Sequence, residues 1–425
     1  MDNRLDVSVV SDSRPLGRVT NPFLVFSLMV FGASTLLFGF DNNVVNCSSR
    51  AFARNQDLIF SVPLVGTIIG ACAASPSQLK FGRKWSVTGC YIVSIGGVFL
   101  QLFAKNLGMF VAGRAWNGVA YRCALAISPL YLSEVVSASM RGRAVASQNV
   151  LTIFSGVIAT IVVNSTSTIN GKSSYMTPLA VQCALPIILI PFTVFLWLVS
   201  HGRLEQARHS LRKLRGFSDE EVDEELELVR RSEMAEREIG KDANFWELFN
   251  RQNLKRTLAA SSLFSMNQVS GIILSTTYAT IFLREIGVGN PFRLIIAATC
   301  YQLAGAIIGL FVVDSAGRRP VALIGMTLLM AIDFIAGGLA FASKNNKSIA
   351  LGIATLSFIF NVVWTGSFYA LSMVVPSEVA TLRLRNHTMS YAVGWCQITA
   401  VITTFAVPQI TSAGAGNLGE GVSGV

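Results

Sequence analysis

Residues 133–141 read Ser-Glu-Val-Val-Ser-Ala-Ser-Met-Arg, and residues 377–385 read Ser-Glu-Val-Ala-Thr-Leu-Arg-Leu-Arg. In both stretches an arginine follows the glutamate by seven residues. Upstream of each stretch, an apolar run ends in glycine followed by two basic residues, at 82–84 and at 317–319. The chain therefore contains two copies of one sequence unit. A repeat of this kind predicts two similar halves that enclose a central site, as in alternating-access transporters.

The composition indicates a membrane protein. Of the 425 residues, 52% are hydrophobic and 14% are charged, and the mean hydropathy is +0.53. By count, residues 201–257 hold 12 Lys/Arg and 13 Asp/Glu, so the charge is concentrated in one polar segment. The net charge of +10 lies in short basic clusters between apolar runs, which is typical of an inner-leaflet surface and not of nucleic-acid binding. We expect an integral, multi-pass protein in a lipid bilayer that binds no nucleic acid.

Eleven apolar runs are long enough to cross a bilayer as helices, since about 20 helical residues span the hydrocarbon core. They are predicted at about 23–40, 58–76, 86–104, 108–128, 145–164, 176–199, 258–282, 292–313, 321–342, 349–375 and 388–411. The basic clusters fall on one side of this arrangement, which the positive-inside rule places in the cytosol.

This pattern predicts an all-α membrane protein made of five segments. They are a cytosolic tail (1–22), a six-helix bundle (23–199), a cytosolic helical linker (200–257), a five-helix bundle (258–411) and a Gly-rich tail (412–425). A disordered linker is the alternative for the acidic polar segment. Asn46, Asn164 and Asn346 belong to sequons in loops predicted to lie outside, and are candidate N-glycosylation sites.

No set of residues has the spacing of an enzyme site. The three histidines, His201, His209 and His387, lie at predicted cytosolic helix ends without metal-ligand spacing. The seven cysteines form no Cys-x-x-Cys pair. We therefore expect no enzymatic activity, no metal site and no cofactor.

An ordered set of motifs between about residues 23 and 419 resembles the sugar porter family of the major facilitator superfamily. The motifs are Phe38-Gly39-Phe40-Asp41, Phe81-Gly82-Arg83-Lys84, Gly113-Arg114, Asn117-Gly118, Pro129 to Glu134, Arg141-Gly142-Arg143, Gln268-Val269-Ser270-Gly271, Asp314 to Pro320, Pro376 to Arg385 and Asn417-Leu418-Gly419. The pattern is similar to that of fungal hexose and α-glucoside permeases.

The resemblance implies a major facilitator superfamily fold of two pseudo-symmetric bundles in the plasma membrane. It also implies alternating-access transport of a sugar or polyol, with protons as a second partner. Three alternatives stay open: a proton-independent facilitator, an exporter of a sugar-like metabolite, and a non-transporting sensor or truncated product. The last is suggested by the chain itself, because a twelfth helix would be expected after residue 411.

In proton-coupled relatives, the acid that matches Asp41 pairs with the arginine that matches Arg114. An isolated carboxylate at the end of an apolar helix favours its protonated form, whereas a cationic partner favours the ionised form. The resemblance therefore implies that these two residues couple transport to protons. The alternative is a carboxylate that merely reaches the outer surface and is solvated.

Sugar recognition requires side chains that donate and accept hydrogen bonds, together with aromatic faces. The resemblance makes Gln268 the main candidate; the further candidates are Asn267, Gln148, Asn149, Tyr278, Trp395 and Gln397. It also implies a cytosolic network of charges that holds the two halves together, formed by Arg83, Glu134, Arg141, Asp314, Arg318, Glu378 and Arg385.

Some residues depart from the family pattern. Leu79 occupies the position of the acid expected before the first Gly-Arg-Lys, although Asp314 is kept in the second copy. Arg122 lies inside the fourth span, where small residues would allow close packing, and Asp333 lies midway along the ninth. A charge inside a membrane span is a functional hypothesis by default. The sequence provides no partner for either residue.

Overall fold

The computed structural model describes residues 35–36, 39–41, 56–135, 141–166, 173–201, 244–272, 291–342, 347–381 and 383–411. The regular structure in these ranges is helical, and they contain no strand. Most of the predicted linker, the Gly-rich tail, Asn46, Tyr278 and Asn346 lie outside the described residues.

The first half contains four long helices after a short described part of the first span. They are α1 (Gln56–Leu102), α2 (Leu107–Val135), α3 (Arg141–Thr166) and α4 (Ser173–His201). Helix α1 combines the second and third predicted spans. Helix α3 continues through Asn164 to Thr166, so this asparagine lies in the last helical turn and not in the loop that the sequence predicted.

The second half begins with a capped 3₁₀ turn, Phe245–Phe249. The helices that follow are α5 (Leu254–Val269), α6 (Pro291–Ala316), α7 (Arg318–Ala342), α8 (Lys347–Trp364), α9 (Ala370–Val379) and α10 (Arg385–Thr411). Helices α8 and α9 are joined by a π-helical turn, Thr365–Tyr369, and together form the predicted tenth span.

The glycine of the repeated Gly-Arg motif has a positive φ in both halves. Gly82 has a φ of 76° and interrupts α1, while Gly317 has a φ of 83° and separates α6 from α7. A residue with a Cβ is strained at such positive φ values, whereas glycine is not. The glycine that opens each motif therefore permits the sharp reversal between consecutive spans.

The predicted seventh span is shorter as a continuous helix than its hydropathy indicates. Helix α5 ends at Val269, and Gly271 follows with a φ of 85°. A left-handed glycine just beyond the last helical residue is a common way to end a helix. The predicted single run over 258–282 is therefore interrupted at the motif that contains Gln268.

The two halves meet through two related pairs of helices. Helix α3 packs against α6, and α1 packs against α10. The largest buried apolar cluster draws on both halves, including Tyr91, Leu125, Val145, Met373 and Met389. The interface between the halves is therefore a continuous core.

Six stretches of the described helices are long and apolar enough to cross a membrane. They are Val62–Gly82, Trp85–Leu102, Gly142–Thr166, Leu294–Ala316, Arg318–Leu339 and Leu351–Val379. Large apolar side chains such as Phe311, Phe334 and Ile335 are exposed on α6 and α7. Exposed apolar surface of this extent suits contact with lipid rather than water.

Candidate functional site

Asp41 is buried within the first half, where it accepts hydrogen bonds from two helices. Its Oδ1 accepts from Asn117 Nδ2 at 2.8 Å and from Gln182 Nε2 at 2.6 Å. Its Oδ2 lies 3.4 Å from Arg114 Nη2, and the two side chains are 1% and 5% exposed. The predicted pair is therefore in contact, and the alternative of a carboxylate solvated at the surface is wrong.

The contacts of Asn117 and Gln182 with Asp41 were not expected from the sequence. Ser94 Oγ donates to Asn117 Oδ1 at 2.6 Å, which leaves the amide nitrogen of Asn117 directed at Asp41. Gln182 reaches the same carboxylate from α4. Both residues are amides inside predicted spans, and this is the signal that could have suggested them. The sequence could not pair Gln182 with Asp41, because the position of α4 relative to the first span depends on helix packing.

A second polar group lies where the halves meet, around the thiol of Cys396 on α10. Gln397 Nε2 of α10 donates to this thiol at 3.9 Å, and Gln268 of α5 and Arg122 of α2 lie close enough to interact with it electrostatically. Gln397 also accepts from Thr67 Oγ1 of α1 at 2.8 Å. We call Arg122, Gln268, Tyr369, Cys396 and Gln397 the central polar cluster. Tyr369 belongs to it because its phenol interacts electrostatically with both Arg122 and Cys396.

The remaining described amides predicted for substrate recognition, Gln148, Asn149 and Asn267, are buried. Asn149 Nδ2 donates to the Tyr369 carbonyl at 2.7 Å, across the boundary between the halves. Gln148 donates to Ser128 Oγ, and the carbonyl of Asn267 accepts from Trp364 Nε1 at 3.2 Å. Within the described part of the chain, the buried Gln148 Oε1 and Asn267 Oδ1 have no hydrogen-bond partner. Both oxygens can accept a hydrogen bond from a hydroxyl group of a substrate.

Trp395 is not brought to the cluster. It is 44% exposed and lies on one stripe of α10 with Ile398 and Ile402, which are 38% and 61% exposed. Its ring stacks on Tyr391, with centroids 6.3 Å apart. Its position therefore suits contact with lipid rather than with the centre of the protein.

Part of the predicted gating network is present at the end of the molecule that the sequence assigns to the cytosol. Arg318 Nη2 lies 2.8 Å from Glu378 Oε1 and 3.5 Å from Asp314 Oδ1. Arg143 Nε lies 3.1 Å from Asp314 Oδ2, which links α3 of the first half to α6 of the second. We call Arg143, Asp314, Arg318 and Glu378 the inter-bundle charge network.

The other predicted members differ in position or lie outside the description. Arg385 donates to the Ser377 carbonyl through Nε at 3.0 Å and Nη2 at 2.7 Å. The side chains of Arg83, Glu134 and Arg141 lie outside the described residues. Arg143 was not predicted as a member, because the repeated pattern pointed to Arg141 two residues earlier.

A further contact joins the two halves through α1 and α10. His387 Nδ1 of α10 and Ser75 Oγ of α1 are 2.8 Å apart. In repeat register, His387 corresponds to Arg143, since each follows the motif arginine by two residues. Equivalent positions of the two copies therefore contact the opposite half in both cases.

The sequence profile of the sugar (and other) transporter family matches residues 25–423. The chain belongs to this family. It is 27% identical over 413 residues to the arabinose-proton symporter of Escherichia coli strain K12, covering 91% of this chain and 85% of that relative. It is 26% identical over 438 residues to the major facilitator-type transporter ecdD of Aspergillus rugulosus, covering 94% and 80%.

The fold is similar to that of the proton:xylose symporter XylE bound to 6-bromo-6-deoxy-D-glucose. The TM-score is 0.74 at 20% identity, covering 92% of this chain and 89% of that one. The predicted major facilitator superfamily fold is therefore confirmed. As a member of the sugar transporter family with apolar helices of spanning length, the protein is an integral, multi-pass membrane protein.

Proposed function

We propose that the protein transports a sugar or polyol across the membrane by alternating access, as a proton symporter. The observation that carries the proposal is the buried Asp41–Arg114 pair in a member of a transporter family. The names of two similar proteins, an arabinose-proton symporter and a proton:xylose symporter, support both the substrate class and the coupling.

In this proposal the proton binds to the Asp41 carboxylate. The ionised carboxylate is held by Arg114, Asn117 and Gln182. Protonation removes its charge, so the attraction between Asp41 and Arg114 is lost. The first span can then move relative to α2 and α4, and the proton state is coupled to the conformation.

The substrate binds at the boundary of the halves, near the central polar cluster. Gln268 and Gln397 provide amide donors and acceptors there. The side-chain oxygens of Gln148 and Asn267, which have no hydrogen-bond partner among the described residues, accept hydrogen bonds from hydroxyl groups of the substrate. Substrate sites near the bilayer midplane, between two repeats, are typical of alternating-access transporters. The plasma membrane is the proposed location.

The proposal requires the inter-bundle charge network to break during each cycle. Arg143 and Asp314 join α3 to α6 at the predicted cytosolic end, and this contact would have to break when that end opens. Exposed ion pairs each contribute about 0–1 kcal/mol, so they can be broken by modest differences in substrate and proton binding.

The test is uptake of labelled hexoses, pentoses, disaccharides and polyols at two external pH values. It uses cells that lack their own sugar transporters, with surface expression verified. Accumulation that increases at acidic pH is the expected result. Flux without pH dependence would indicate a facilitator, and absence of flux from correctly located protein would contradict transport.

A further inference from the structure

The 3₁₀ turn Phe245–Phe249, which precedes α5, is fixed to the second half by several contacts. Glu247 completes the capping box of the turn, and its Oε1 pairs with Arg383 Nη2 at 2.8 Å. Thr257 Oγ1 of α5 donates to the Leu248 carbonyl at 3.0 Å, and the Leu248 side chain is fully buried. The turn therefore holds its side chains in defined positions beside α5.

Two aromatic rings of this turn are directed outward. Trp246 is 73% exposed and Phe249 is 40% exposed. Their ring centroids are 6.2 Å apart. Large rings are costly to expose to water, whereas amphipathic rings such as indole are enriched where a membrane meets water. The exposure of these rings therefore indicates a membrane surface at this turn.

The same rings are continuous with the exposed stripe of α10. Phe249 packs edge-on against Tyr391 with centroids 5.4 Å apart, and Tyr391 stacks on Trp395 at 6.3 Å. Tyr391 lies in the first turn of the predicted eleventh span, and Trp395 lies on its exposed stripe. The aromatic pair of the 3₁₀ turn is therefore at the depth where this span enters the membrane from the predicted cytosolic end.

Three basic residues lie at the same depth. Arg251, Lys255 and Arg256 are exposed, and within the described ranges no ion pair joins any of them to an acidic residue. Lys255 is followed on one side of α5 by Leu258 and Met266, about one and three turns further along. These two side chains are 52% and 43% exposed. The positive charge therefore lies at the cytosolic end of an apolar surface.

Helices α5 and α10 pack against each other, so the basic residues of one and the aromatic rings beside the other form one surface. We call Trp246, Phe249, Arg251, Lys255 and Arg256 the headgroup surface. Its cations suit an anion, and its rings suit the boundary between headgroups and acyl chains. The exposed stripes of α5 and α10 suit the chains themselves.

We propose that the headgroup surface binds an anionic phospholipid of the cytosolic leaflet. The negative headgroup contacts the three basic side chains, and the acyl chains lie along α5 and α10. A zwitterionic lipid offers the same chains without a net charge, so the surface selects its lipid by charge. This property is separate from the identity of the transported compound.

The test is quenching of tryptophan fluorescence in proteoliposomes of phosphatidylcholine. A fixed fraction of the lipid carries bromine in its acyl chains, as either phosphatidylserine or phosphatidylcholine. The signal of Trp246 is the difference between the wild-type protein and Trp246→Phe. We expect brominated phosphatidylserine to bind beside Trp246 at least about fivefold more strongly, since each basic residue near a headgroup contributes about this factor.

Variants connect the preference to the basic residues. Replacing Arg251, Lys255 and Arg256 together by glutamine should abolish it. Arg251→Lys combined with Arg256→Lys keeps the charge and should preserve it. Lys105→Gln is the matched control, because Lys105 is an exposed lysine between α1 and α2, at the predicted outer end. Size-exclusion profiles establish that these surface variants fold.

The outcomes decide the proposal without any measurement of transport. Equal quenching by the two lipids in the wild-type protein would overturn it and would indicate another occupant, such as the acidic segment 219–227 of this chain. A preference that survives in the triple glutamine variant would also overturn it. So would a preference unchanged in 1 M salt, because the screening length there is about 3 Å.

Discussion

The carboxylate of Asp41 accepts hydrogen bonds on one oxygen from Asn117 and Gln182, and its other oxygen faces Arg114. These three donors come from α2 and α4, whereas Asp41 belongs to the first span. A change in the charge of this single group therefore alters the force between three helices. This is what a coupling residue requires, because a local proton must change the arrangement of whole elements.

At the same scale, Gln268→Ala should weaken substrate binding without abolishing transport. A lost buried hydrogen bond costs about 1 kcal/mol, which corresponds to about a fivefold higher KM. Concentration-dependent uptake of the true substrate measures this change. Gln302→Ala is the matched control, because Gln302 donates to Asn361 Oδ1 at 2.7 Å within the second half. Equal KM values in the wild-type protein and Gln268→Ala would remove Gln268 from the site.

The sequence predicts part of this site because some roles follow from motifs. Asp41 and Arg114 each belong to a recognisable string, so their contact could be expected. Gln182 belongs to none, and its contact with Asp41 depends on how α4 packs against the first span. Trp395 shows the reverse case: aromatic chemistry suits a sugar, but the rotation of α10 places this ring on the exposed stripe.

At the scale of elements, close helix packing depends on small residues. Helix α6 approaches the tenth span through Gly305 and Gly309, and a Cβ at Gly305 would collide with Thr365 Oγ1 and the Val362 carbonyl oxygen. Small residues allow such approach, and the packing gained holds membrane helices together.

Gly305→Leu should therefore separate α6 from the π-helical turn and lower the stability of the protein. Overpacking of this kind costs about 1–3 kcal/mol or more. The measurement is thermal unfolding of the purified protein in detergent. Gly337→Leu is the matched control, because a Cβ at Gly337 meets nothing within 4 Å. Equal melting temperatures for the two variants would show that the α6 contact is unimportant.

Hydropathy predicts where helices cross the membrane but not where they change shape. The predicted eighth span, 292–313, and the helix Pro291–Ala316 agree closely. The π-helical turn at Thr365–Tyr369 and the end of α5 at Val269 leave no mark in the apolar pattern. Both result from local backbone geometry, which a window average of residue polarity does not contain.

At the scale of the whole molecule, the halves are joined at the predicted cytosolic end by Arg143 and Asp314. The sequence predicted a charge network at this end, and in the structure Arg318 lies 3.5 Å from Asp314 and 2.8 Å from Glu378. It did not predict that Arg143 makes the contact across the halves. The distance between α3 and α6 depends on how the two bundles pack against each other. The repeated motifs carry information about each bundle by itself and not about this packing.

Asp314→Asn should shift the protein toward states that are open at this end. A pair of this kind contributes about 1 kcal/mol or less, so the population ratio should change by up to about fivefold. Distance distributions between spin labels on α3 and α6 at this end measure the change. Glu247→Gln is the matched control. Glu247 Oε1 pairs with Arg383 Nη2 at a distance of 2.8 Å, and this pair does not join α3 to α6. Identical distributions for Asp314→Asn and the wild-type protein would contradict the gating role.

The most direct test of proton-coupled transport is concentrative uptake by Asp41→Asn in proteoliposomes with an imposed pH gradient. The amide has about the same size as the carboxylate but cannot bind and release a proton during the transport cycle. We predict that the wild-type protein accumulates its substrate above the external concentration, whereas Asp41→Asn only exchanges or equilibrates it. Asp333→Asn, which alters the acid of α7, should accumulate substrate like the wild type. Undiminished accumulation by Asp41→Asn would contradict the assignment of Asp41 as the coupling residue.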